Sequence, residues 1–186
     1  AAAVAKEQSM AAEAKQSPLG NAFIGIAGLI GAGEKEIVFT SGASEGNNLA
    51  LLSAAGNAAR RHLVTQATEH PSVLEPLRHL ESAGWRLTVV GVDNEGRIDL
   101  HRLEDAVDDD TALVSLMLAN NETGTVQPIA EVAAVARERG ALVHCDAAQG
   151  VGKLAIDVDE GSDVDDSLEI DPWLMLNLAA MRPEVA

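Results

Sequence analysis

The sequence predicts an α/β fold of three layers, a mostly parallel sheet flanked by helices. Two observations carry this. Short apolar runs alternate with helix-length amphipathic segments from Glu36 to Asp157, the rhythm of strand–helix–strand crossovers. Polar clusters also recur just after the apolar runs, at 40–48, 69–70, 120–125 and 146–149. Ligands of open parallel sheets collect beyond the carboxyl ends of strands, so four clusters there point to one shared site.

The elements follow in order. Residues 1–18, "AAAVAKEQSMAAEAKQSP", suit an amphipathic helix and lack the apolar centre of a signal peptide. "GNAFIGIAGLIGAG" is small and apolar, a short helix or a packed loop. Strands are predicted at 36–40 (EIVFT), 62–66 (HLVTQ), 86–92 (RLTVVGV), 112–118 (ALVSLML) and 141–147 (ALVHCDA). Helices are predicted over 44–57, 72–83, 100–107 and 129–139. Gly84 and Gly140 stop two of them, and the run Asp108 to Asp110 stops a third. Beyond Val158 the rhythm gives way to the acidic linker "DVDEGSDVDD", and 167–186 predicts one last helix. The expected organisation is an N-terminal segment (1–28), a ligand-binding core (29–158) and an acidic linker with a final helix (159–186).

Composition narrows the function classes. The 186 residues are 47% hydrophobic, enough for one real core. The net charge of −16 argues against broad contact with nucleic acid or an anionic membrane. The single cysteine, Cys145, forms no internal disulfide and no cysteine cluster for a metal. A reducing, cytoplasmic setting is expected. No ligand spacing suggests a metal site.

The richest local signal is "FTSGASEGNNLA", from Phe39 to Ala50. Ser44 can cap the following helix or offer its hydroxyl to an anion. The free amides at a helix N-terminus suit a phosphate. An ordinary turn and cap would leave the same letters. His70 precedes Pro71 and could stack on a flat ligand, act as an acid or base, or serve structure alone. His144 and Asp146 alternate onto one strand face, and Cys145 faces the other way as a buried strand residue. Asp146 at a strand end can pair with a protonated ring nitrogen or cap the next turn.

Taken together, "EIVFTSGASEGNNLA", "EHPSVL", "LVSLMLANNETGTVQPI" and "HCDAAQGVGKLAIDV" resemble the cysteine desulfurase branch of the class V aminotransferases, over about residues 29–157. These are fold-type I enzymes that use pyridoxal 5'-phosphate (PLP). The resemblance implies that Ala43 and Ser44 line the phosphate site and that His70 stacks over the pyridine ring. Asn121 would contact the cofactor or the substrate. Asp146 would pair with the ring nitrogen, and Gln149 with the phenolic oxygen. It also implies L-cysteine as substrate, alanine and an enzyme persulfide as products, a sulfur-acceptor protein and a homodimer.

The sequence departs from that pattern at the two groups that carry the family's covalent chemistry. The family's Ser-x-His-Lys motif, whose lysine holds PLP as a Schiff base, corresponds to "DSLEIDPWLML", which has neither lysine nor histidine. The lysines are Lys6, Lys15, Lys35 and Lys153, and Lys153 matches a family residue of another role. The nucleophilic cysteine has no counterpart either, since Cys145 does not correspond to it. The expectation is an incomplete large domain, inactive alone. The alternatives are a noncatalytic PLP- or phosphate-binding domain or remnant, and a related PLP-dependent aminotransferase or lyase.

Overall fold

The computed structural model describes residues 17–57, 59–156, 158, 175 and 176. Helix α1, Pro18–Ile30, settles the choice left open for the "GNAFIGIAGLIGAG" stretch. Ser17 caps it by accepting the Gly20 N–H at 2.9 Å, and Pro18 takes a first-turn position where no N–H is needed. Gly31 ends it in the left-handed conformation, φ 71°. After a 3-10 turn at Glu34–Glu36 come α2 (Ala43–Asn57), β1 (His62–Gln66), α3 (Pro71–Ser82) and β2 (Arg86–Val90). Then follow α4 (Leu100–Ala106), β3 (Thr111–Met117), α5 (Ile129–Glu138), β4 (Leu142–Asp146) and β5 (Met175–Leu176).

The five strands form one parallel sheet in the order β2-β1-β3-β4-β5. β1 and β3 run through its middle and are buried along their whole length, as strands covered on both faces must be. One face carries Leu63 and Leu113 under Leu51 of α2 and Val73 and Leu77 of α3. The other carries Val64, Val114, Leu116 and Cys145 under Leu103 of α4 and Val132 and Ala136 of α5. This is the expected three-layer arrangement. The period-2 alternation of β1 and β3 sends adjacent side chains into opposite layers. Each fully buried leucine contributes about 1.5–3 kcal/mol.

Two expectations are corrected. Residues 37–40 are not a strand, because no chain among the described residues pairs with them. A strand without a neighbour leaves its backbone groups to water. Val38 is 69% exposed, and Phe39 leans edge-on against Phe23 of α1, ring centroids 4.6 Å apart. The final helix is also wrong where the structure describes it. Met175 and Leu176 extend the sheet as β5, paired with His144 and Cys145. Most of 159–186, and residues 1–16 of the helix expected over 1–18, lie outside the described residues.

Candidate functional site

The carboxyl ends of β1, β3 and β4 make one polar edge. In register, Met117 of β3 lies beside Asp146 of β4. Asp146 is 6% exposed. Its Oδ1 accepts the Ala148 N–H at 3.0 Å, and its Oδ2 accepts from Asn47 Nδ2 at 2.8 Å. Asn47 is fully buried, a polar residue in the α2 stripe that continues with Leu51, Ala54 and Ala55. The same Nδ2 donates to Ser72 Oγ at 2.9 Å, and Ser72 Oγ lies 2.7 Å from His70 Nδ1. A continuous hydrogen-bonded line therefore runs from β4 through α2 to the start of α3.

His70 has a local job as well. It is the N-cap of α3, its Nδ1 accepting the Ser72 N–H at 3.1 Å. Pro71 follows as the first helical residue. The His70 ring lines a groove of about 540 Å³ between α2 and α3, together with Ser44, Asn48, Leu52, Ser72 and His79. Ser44 is exposed there, in the first turn of α2. Ala43 starts that helix and is half-buried.

Two buried ionisable groups sit close to Asp146. Glu69 accepts the Met117 N–H at 2.5 Å, bridging the ends of β1 and β3. Burial, reinforced by the negative charge of Asp146, pushes its carboxyl up to about 8. His144 donates to or accepts from Ser115 Oγ at 2.8 Å. Burial brings it down to about 4, against the pull of Asp146. Cys145 faces the α4–α5 layer, and burial raises its thiol far above the ordinary value. It is inert by the rule that only a reachable thiolate reacts.

Ser44, His70 and Asp146 are thus brought together, the first two by one groove and the third by hydrogen bonds. Asn121 and Gln149 are not joined to that line. Asn121 is exposed on a turn built by its neighbour Asn120, whose Oδ1 accepts the N–H groups of Glu122 and Thr123, both at 2.9 Å. Gln149 is exposed too, its Oε1 accepting from Lys153 Nζ at 2.9 Å. Sequence reasoning assigned no role to Asn47 or Ser72. A signal for Asn47 was present: it is the one amide at the i, i+4, i+7, i+8 spacing of an otherwise apolar stripe.

The aminotransferase class-V family model matches residues 1–165. The chain belongs to that family. Within the class-V family it is similar to a mitosomal cysteine desulfurase of Trachipleistophora hominis, 50% identical over 139 residues, which are 73% of this chain and 32% of that protein. A cysteine desulfurase IscS of Rickettsia felis is 49% identical over 138 residues, 73% of this chain and 33% of that one. The chain spans about a third of the length of these relatives. Among solved structures, a NifS-like protein superposes with a TM-score of 0.72 and 36% identity, over 81% of this chain and 40% of that one. SspA, solved in complex with cysteine, gives 0.68 and 43%, over 72% and 39%. The parallel sheet between helices is accordingly that of a PLP-dependent transferase large domain, in part.

Proposed function

We propose that this chain is the cofactor-holding part of a PLP-dependent cysteine desulfurase. The observation that carries the reading is the line from Asp146 through Asn47 and Ser72 to His70, which ends in the groove that Ser44 also lines. The donor set suits the cofactor. A carboxylate has about four acceptor sites, and Asp146 uses two, which leaves capacity for a cationic N–H. The Ser44 hydroxyl and the first amides of α2, from Ala43 on, suit a phosphate.

When bound, the cofactor supplies an electron sink for bonds at the α-carbon of an amino acid. The protein's part is to hold it. Asp146 keeps a proton on the ring nitrogen through a charge-assisted contact. His70 offers its ring face. Asn121 and Gln149 supply polar contacts to cofactor or substrate. In the whole protein, L-cysteine is converted to alanine, and its sulfur passes through an enzyme thiol to an acceptor protein. A homodimer in the cytoplasm belongs to the same reading.

For these 186 residues alone, binding without turnover is expected, which is also the reading as a noncatalytic PLP-binding domain. Two observations favour it. The Lys153 amine is engaged by Gln149, and the Cys145 thiol is buried. The test adds PLP, measures affinity by fluorescence, then reduces with borohydride and maps peptides by mass. Reversible binding is expected, weakened about tenfold by Asp146→Asn, with no stoichiometric lysine adduct. Absence of binding would overturn the cofactor reading. Sulfide and alanine released from cysteine in equal amounts would overturn the expectation of no turnover.

A further inference from the structure

The line from Asp146 to His70 has a direction, and the donor inventory dictates it. A side-chain amide nitrogen carries two hydrogens and accepts none. Asn47 Nδ2 lies 2.8 Å from Asp146 Oδ2 and 2.9 Å from Ser72 Oγ, so one hydrogen goes to each. The nitrogen must be the atom facing Asp146, because a carboxylate oxygen accepts. Ser72 Oγ therefore accepts from Asn47 and turns its own hydrogen to its other partner, His70 Nδ1, 2.7 Å away. The Ser72 N–H donates to the same nitrogen at 3.1 Å. A ring nitrogen that accepts twice carries no hydrogen.

The geometry points to Asn47 and Ser72 as positioning residues that select the Nε2–H tautomer of the neutral His70 ring and tie that ring to Asp146 by hydrogen bonds. Packing alone does not explain the amide. Asn47 is fully buried, and its Oδ1 has no partner among the described residues. An unpartnered carbonyl in the core costs free energy that a leucine at this stripe position would avoid. The donor side of the amide, by contrast, is fully used and aimed at two residues of the proposed cofactor site.

The consequence for a ligand is specific. With Nδ1 committed, the nitrogen left for a ligand is Nε2, and it offers an N–H. A group bound against His70 is then recognised through an acceptor atom, not through a donor. This deepens the cofactor reading and rests on it for the identity of the ligand. The tautomer itself can be read with no ligand present.

The experiment is a long-range proton–nitrogen spectrum of the chain labelled at histidine nitrogens, in the pH range where the rings are neutral. His70 is assigned among the five histidines by the resonance lost in His70→Asn. The expected pattern is a bare Nδ1 and a protonated Nε2. Ser72→Ala removes the hydroxyl hydrogen and shifts the Nδ1 resonance. Asn47→Asp swaps the donor for an acceptor that draws the Ser72 hydrogen away, and it shifts the same resonance with Ser72 still present. An Nδ1–H tautomer in the unaltered chain overturns the proposal. So does an Nδ1 resonance unmoved in both variants. Should either variant fail to fold, the spectrum of the unaltered chain still decides. A wrong tautomer leaves PLP binding untouched, and failure of PLP to bind leaves the tautomer standing, so the two readings fail separately.

Discussion

The sheet buries one histidine near each end, and the two are treated differently. His62 begins β1 and is bonded through both ring nitrogens, Nδ1 to Thr111 Oγ1 and Nε2 to Thr88 Oγ1, each at 2.8 Å. Asp108 adds a carboxylate 3.5 Å from Nδ1, itself held by Arg86 at 2.7 Å. Arg60 closes the same end by donating to the carbonyls of Thr111, Arg139 and Gly140. His144, two residues before the carboxyl end of β4, uses Nδ1 on Ser115, while its Nε2 has no partner among the described residues. Asn47 Oδ1 and Thr68 Oγ1 are buried without partners at that end as well. Folding alone selects for satisfied polar groups. The closed end is a staple, and the open end is where the chain departs from the rule, as working sites do.

The comparison breaks most visibly at Glu69. Its carboxyl moves from 4.5 to about 8 on folding, so between those values the folded chain holds a proton that the unfolded chain has lost. Its contribution is fully present below pH 4.5 and disappears as pH rises through about 8. The full loss is on the order of 5 kcal/mol. Glu69→Gln stays neutral and removes that slope. Urea midpoints for both proteins at about pH 5 and about pH 8.5 check it. His144 works the other way. Its contribution is present above 6.5 and lost as pH falls towards 4, so the difference between the two proteins isolates Glu69.

The second contrast is a pair of isosteric changes. Thr111→Val leaves His62 Nδ1 and the Asp108 N–H without their partner and lowers stability by about 1–3 kcal/mol. Thr68→Val removes a hydroxyl that has no partner among the described residues. It changes stability by less than about 0.5 kcal/mol, or raises it. Equal losses in denaturant melts would erase the distinction between the ends.

A small effect is also expected at the surface of the closed end. Arg86 is the main reason Asp108 is held down to about 2. That contribution is present above the ordinary value of 3.8 and lost as pH falls through about 2. Both groups are about half exposed, so Arg86→Ala costs only about 0.5 kcal/mol. A carboxylate titration followed by NMR should show Asp108 returning towards its ordinary value.

Legibility in the sequence followed the same division. β1, β3 and β4 were readable as short apolar runs, and helices α2 to α5 by the spacing of their apolar residues. The 36–40 segment has strand composition, but pairing depends on a neighbour that composition does not supply. Leu176 looked helical for the converse reason: its partner, Cys145, is far away in sequence. Ser44, His70 and Asp146 stood out as candidates because each combines a special residue with an element end. Asn47 and Ser72 were not, because their meaning is a contact across 25 residues that only packing of α2 on α3 creates.

His70 Nδ1 serves two masters, since the nitrogen that closes the line to Asp146 also caps α3. A ring flip would free the Ser72 N–H, so the orientation of the side chain and the cap of the helix are coupled. Screens that replace His70 with alanine would therefore record a stability defect and a ligand-binding defect as one phenotype. Asparagine, which accepts at an N-cap, separates them.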